Sequence, residues 1–390
     1  MRKHLRIRRG FCLAAVLALL AGMPGTPAAG EAALEEKSLE LAGSRVAYPA
    51  VTGMADEALQ QRINGQILED LRITDFLQRM NALISDDSRS ITVAWSGMLA
   101  GEVFSGAADV SGAAETLRDT HLWTWSSLDL RDGHEIAFDE LFSDGDAARE
   151  GLEAYLEEQV APEMSAYLLN SELTPLPEGF RLEQTGLTLL YDVKRLTTLS
   201  GRAGAVRIGW NEIREWVDWS EESIPVRIGA ADMVTLTEDS LPRLRAAAES
   251  GQLPDIPVKL GDSVREWTDR EHLLTDPDEY AGGRMFALEG AAFRNVLILS
   301  DAVSAGWDGS RVQGIRAERG CIWGLCIGET EQAAWRQALG EPDSTVDFDA
   351  ERAEAYRTVP GSCDYYEFGG HTLQLHSGED GLLASITLTE

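Results

Sequence analysis

Two short segments, Leu260-Gly-Asp-Ser263 and Ile327-Gly-Glu-Thr330, lie 67 residues apart and open the same succession of features. Each precedes a run with helical spacing that holds a tryptophan, Trp267 and Trp335. A strand-like run follows in each, Asn295 to Ser300 and Thr372 to His376. Each copy then has Asp-Gly, at 308–309 and 380–381, leading into a last strand, Val312-Gln-Gly-Ile315 and Leu383-Ala-Ser-Ile386. A small helix-then-sheet unit used twice would give this pattern. The expected modules are 255–320 and 321–390.

The chain before them has a different texture. Leu59, Ile63, Ile67 and Leu71 recur every four residues, which predicts a helix from Asp56. Ile91-Thr-Val-Ala-Trp95 alternates as a strand does. So does the run from His121 to Leu130, which puts Trp123 and Trp125 on one face. Asp132-Gly133 is a hairpin signal, with a returning strand and corner through Ile136, Phe138, Leu141 and Phe142. Asp144 or Asp146 can cap the next helix, which Pro162 kinks or ends. Further strands are expected around Phe180, Leu187 and Val206, and a short helix from Asn211. Helices and strands in this order give an α+β fold with antiparallel sheets and packed helices. Pro225, Pro242, Pro254 and Pro257 mark residues 220–257 as a joint that holds a short helix from Asp239 to Glu249 ending at Gly251, with 220–254 taken as the linker between a domain of 31–219 and the repeats.

The first thirty residues read as a secretory signal peptide. Arg2, Lys3, Arg6, Arg8 and Arg9 precede an apolar stretch from Phe11 to Met23, then small and turn-forming residues. About 13 apolar residues fall short of the ~20 of a spanning helix. The expected location is extracytoplasmic, secreted or associated with the cell surface, with no transmembrane segment after cleavage. The whole chain carries a formal charge of −31, and residues 1–30 hold five basic residues and no acidic one, so the remainder carries −36. Such a chain is repelled by nucleic acid and drawn to basic partners.

Cys321, Cys326 and Cys363 all fall in the last fifth of the chain. Outside the cell they allow one disulfide with one thiol left over. Cys363 is expected to pair with Cys326 or Cys321. Cys321–Cys326 fits only if the four residues between them are not a straight strand, which would span about 16 Å.

Catalytic motifs are scarce. His121, His134, His272, His371 and His376 fall in no H-x-x-x-H or H-x-H spacing. No G-x-S-x-G elbow, P-loop or G-x-G-x-x-G occurs. No catalytic residue, metal ligand or cofactor is assigned, and the chain is expected not to be an enzyme. Trp123, Trp125 and His121 are the candidate binding residues.

Residues 45–219 resemble the extracytoplasmic domain of RsiV-type anti-sigma factors, a module that also precedes the catalytic domain of PdaC-type peptidoglycan deacetylases. The likeness rests on Val46-Ala-Tyr-Pro49 with the Asn64 helix, on Leu128-Asp-Leu130 with Asp132-Gly133 and Asp139-Glu-Leu-Phe142, on Phe180-Arg-Leu182 with Gly186-Leu187, and on Val206-Arg-Ile-Gly-Trp210 with Glu212-Ile213. It implies an α+β domain outside the membrane and, as in the anti-sigma members, lysozyme binding. Thr116 to Thr120 replaces the family's Gly-Gly-Ala-His segment. No sigma-binding or deacetylase part is seen, so those activities are not carried over. Residues 255–390 resemble the tandem helix-and-sheet repeats of β-lactamase inhibitor proteins, which implies protein binding. The expected function is that of a non-enzymatic binding or sensing protein of the bacterial envelope, its partner lysozyme, another basic wall-active protein, or wall material. The alternative is an accessory protein or enzyme acting on cell-wall polysaccharide.

Overall fold

The computed structural model describes residues 32–83, 90–113, 122–164, 168–198, 203–269, 278–287, 296–300 and 310–390. The chain divides into two compact units. The first takes residues up to 137 with 177–182 and 190–203, and the second takes 138–176, 183–189 and 204–390.

In the first unit, β1 (Ala33–Leu41) and β2 (Ser44–Thr52) form a hairpin, followed by helices α1 (Glu57–Asp70) and α2 (Ile73–Leu83). Then come β3 (Ser90–Ala100), β4 (Val103–Ala113) and β5 (Leu122–Asp129). The sheet order is β1-β2-β3-β4-β5. All neighbours are antiparallel except β2 and β3, which run parallel. Asp56 caps α1 by accepting from the amides of Ala58 and Leu59 at 2.9 and 3.0 Å. The four-residue spacing then turns Ile63, Ile67 and Leu71 inward, where they meet Phe76 and Met80 of α2 and Val46, Val93, Phe104 and Val110 of the sheet.

The second unit opens with a 3-10 turn, Phe138–Leu141, where a returning strand was expected. Helix α3 (Gly145–Tyr155) is capped by Asp144. It widens into a π turn at Leu156–Val160 before the short helix Ala161–Met164. Pro162 lies just after that turn, where it has no amide to donate to the helix. Strands β6 (Gly186–Leu190) and β7 (Ala205–Gly209) are buried along their length. The expected helix from Asn211 is instead a chain of turns, ending where Val217 bridges Phe142.

Residues 220–254 are not a bare linker. They form α4 (Ile224–Arg227), α5 (Ala230–Val234) and α6 (Ser240–Ser250), the last closed by Gly251 at φ +70°. Leu244, Ala248, Leu253 and Ile256 enter the core of the second unit. The prolines shape this segment without detaching it: Pro225 occupies the first turn of α4, where a missing amide costs little.

The repeats fold as two four-stranded meanders. Helix α7 (Val264–Asp269) precedes β8 (Asp278–Tyr280), β9 (Gly283–Ala287), β10 (Val296–Ser300) and β11 (Val312–Ala317). After a small hairpin of β12 (Cys321–Ile322) and β13 (Leu325–Cys326), helix α8 (Gln332–Leu339) precedes the second meander. That meander holds β14 (Ser344–Phe348), helix α9 (Ala350–Tyr356), β15 (Gly361–Phe368), β16 (His371–Gly378) and β17 (Leu383–Thr389). The eight strands form one antiparallel sheet ordered β8-β9-β10-β11-β17-β16-β15-β14, so the last strands of the two copies pair at its centre.

The repeated segment does the same work in both copies. Gly261 donates to the carbonyl of Val312 at 2.8 Å, and Gly328 to that of Leu383 at 2.7 Å. Val312 and Leu383 donate back to Asp262 and Thr330, each at 2.9 Å. Both glycines have φ +81°, a conformation L side chains avoid. The motif thus ties the entry of each helix to the start of its module's last strand.

The disulfide joins Cys321 to Cys326, and Cys363 is a buried free thiol. The expected pairing of Cys363 is therefore corrected. Trp323 and Gly324 both take positive φ, 44° and 81°, as a two-residue I′ hairpin requires. The turn brings Cys321 and Cys326 directly opposite each other. A left-handed Trp costs about 1–2 kcal/mol. The small disulfide loop offsets that with about 2 kcal/mol. Burial pushes the Cys363 thiol up to about 12. In denaturant without reductant, residues 31–390 should show one alkylatable thiol, and three after reduction. Three thiols before reduction would refute the bridge.

Candidate functional site

Trp123 and Trp125 project from one face of β5, between Thr124 and Ser126, which point to the helices through Leu71 and Asp70. Trp123 stands opposite Asp109 on β4, and Trp125 opposite Ala107. Both indoles are half-buried. Strand Gly179–Leu182 crosses this face. A Cβ on Gly179 would come within 2.7 Å of the Trp125 ring, and the Leu182 amide donates to Ser105 Oγ at 2.8 Å. Trp125 is thus engaged in packing. His121, the third candidate, lies outside the described residues.

The densest cluster of buried charge lies elsewhere, in the second unit. Arg207 sits in β7 between Val206 and Ile208, where every neighbour is buried. A guanidinium there needs acids. Glu183 supplies one, with Oε2 at 2.6 Å from Arg207 Nε. Asp255 supplies another, with Oδ2 at 3.7 Å. Asp255 holds φ +55° in the turn after α6. Its Oδ2 accepts the Thr185 amide at 2.8 Å and the Thr185 hydroxyl at 2.7 Å. Thr188 donates to Glu183 Oε1 at 2.9 Å. Two carboxyls share one guanidinium, so with both ionised the cluster would carry a surplus negative charge. Burial, and then repulsion from Glu183, raise the Asp255 pKa against the opposing pull of Arg207 and the Thr185 hydrogen bonds.

A cleft of about 340 Å³, including its open mouth, lies over this cluster. Thr185, Arg207 and Arg319 give it a polar side, and Ile256, Val296 and Ile322 an apolar one. Arg319 is paired with Glu212 at 3.3 Å. The Thr185 oxygen also accepts from Arg207 Nη2. The geometry serves to fasten three segments, 183–188, 205–209 and 253–256. Among the described residues, no three His, Cys, Asp or Glu side chains gather as a metal-ligand set.

The raised Asp255 pKa sets a direction for stability. The folded state holds its proton to higher pH than the unfolded chain does. The associated stability is therefore present below the ordinary carboxylate pKa and is lost as pH rises through the folded value. Asp255→Asn should flatten that decline in urea unfolding across pH 4 to 8. An unchanged slope would argue against the assignment.

Sequence reasoning missed this cluster because its members have no common spacing. One signal was available: a charged residue inside the otherwise apolar strand Ala205-Val-Arg-Ile-Gly209 requires a buried acid.

No family model matches the chain, and no curated relative does. Similar solved structures include a DUF3298-family protein of Bacteroides fragilis, at 11% identity over 49% of this chain and 94% of that one, TM-score 0.31. Another is a DUF3298-family protein of Pseudomonas aeruginosa, at 12% identity over 49% and 96%, TM-score 0.33. A third is a DUF4309-family protein of Bacillus subtilis, at 12% identity over 39% and 97%, TM-score 0.26. No helix among the described residues is long and apolar enough to cross a membrane.

Proposed function

We propose that this is an exported, non-enzymatic binding protein of the bacterial envelope whose partner is a basic, wall-active protein of the lysozyme kind. The observation that carries the reading is charge. Residues 31–390 have a formal charge of −36, which repels nucleic acid and anionic lipid and favours encounter with cationic proteins. The resemblance of residues 45–219 to a lysozyme-binding module points the same way. Encounter driven by charge weakens with salt, because the Debye length falls from about 30 Å at 0.01 M to about 8 Å at physiological ionic strength. Calorimetry with a basic lysozyme should show heat at low salt and weaker affinity at high salt. No heat at low salt, or equal affinity at both, would overturn the proposal.

A further inference from the structure

The tip of the disulfide hairpin carries a large aromatic where three other two-residue turns begin with a small residue. The first position of the two-residue turn is Ala42 between β1 and β2, Gly101 between β3 and β4, and Gly369 between β15 and β16. All three are small and have positive φ. Here the position holds Trp323, at φ +44°, where Asn would suit the turn far better. Among the described residues Ala42, Arg72, Glu102, Asp255 and Arg357 also take positive φ, and Trp323 is the one aromatic in that set; residues held against local preference cluster at functional sites.

The site is also rigid. Cys321 and Cys326 lock the strands behind the turn, and the Gly324 amide donates to the Met233 carbonyl at 2.8 Å. That contact places the turn against Leu236. Trp323 and Leu236 are both half-buried and flank the core of the second unit. The segment leaving Leu236 runs Thr237-Glu238-Asp239, all three exposed, with two carboxyls and no basic residue.

We propose that Trp323 and Leu236 form the anchor for a basic side chain of the protein partner, the indole face taking the guanidinium or ammonium and Glu238 and Asp239 balancing its charge. This rests on the reading of a basic partner and names its docking point. A large aromatic held in place by a disulfide loses little freedom on binding, which is the property of an interface hot spot. A cation over an indole is the strongest of the aromatic pairings.

The test uses a deca-arginine peptide titrated into the full chain. Binding is followed by the indole N–H resonance of Trp323, recognised by its loss in W323F. The resonance should shift on binding. W323N should weaken the peptide by about tenfold or more, with the turn itself retained because Asn-Gly suits it. E238Q together with D239N should weaken binding and flatten its salt dependence. A wild-type chain that fails to bind overturns this inference and the basic-partner reading together. Binding that leaves the Trp323 resonance unmoved, or that W323N matches within about twofold, overturns the anchor alone.

Discussion

Asp364→Ala is expected to lower the stability of the second unit by about 3 kcal/mol, the scale of a broken buried ion pair with its hydrogen bonds. Asp364 is fully buried on β15. Its Oδ2 accepts Trp335 Nε1 at 3.0 Å and Arg336 Nε at 2.8 Å. Its Oδ1 accepts Arg336 Nη2 at 2.6 Å and Thr345 Oγ1 at 2.7 Å. One carboxylate thus fastens α8 and the edge strand β14 to the sheet. Arg336 is partly exposed and can turn to water after the substitution, but the buried Trp335 N–H cannot. Burial alone would raise the Asp364 pKa. The hydrogen bonds from Arg336, Thr345 and Trp335 outweigh it and hold the carboxyl below the ordinary range. Its contribution is therefore present above the unfolded carboxylate pKa and is lost as pH falls through the lower folded value. Urea unfolding at neutral pH should show the loss, and wild type and variant should converge in acid. A loss below about 1 kcal/mol would mean that the network adds little beyond exposed pairing.

Such an anchor shows what the sequence can and cannot disclose. Trp335 and its helix were legible, because a Gly-Glu-Thr entry and helical spacing act over a few residues. The duplication was legible for the same reason, since Gly261 and Gly328 each need the one residue that tolerates their φ. Trp123 and Trp125 fell on one face of β5 as strand periodicity requires. Asp364 was not legible: its partners lie nineteen and twenty-eight positions away in sequence, and only the folded register brings them together. Glu183, Arg207 and Asp255 were hidden by the same distance. The cysteine pairing failed for a different reason. Ile322 to Leu325 looks strand-forming, and no propensity scale anticipates a tryptophan in a left-handed turn. In the segment 220–254 the helix that stops at Gly251 was legible, but the burial of the segment was not, because prolines at helix entries and prolines in linkers look alike until burial is known.

Gly324→Ala should be the most damaging single-methyl addition in the hairpin, costing roughly 3 kcal/mol or more. A Cβ at Gly324 would stand 2.0 Å from the Leu236 amide nitrogen and 2.4 Å from the Thr235 carbonyl carbon, backbone atoms that cannot turn aside. Either the hairpin lifts away and loses the Gly324–Met233 hydrogen bond, or segment 235–236 is displaced. Gly328 provides the control. It has the same φ of +81°, but nothing lies within 4 Å of its Cβ position. Gly328→Ala should therefore cost only the left-handed penalty, about 1 kcal/mol. The difference between the two variants isolates the close approach of the two backbones. Thermal unfolding of both, with alkylation of Cys321 and Cys326 as a check that the disulfide persists, would measure it. Equal destabilisation would mean that the turn is not pressed against Leu236, and the rigid presentation of Trp323 would lose its support.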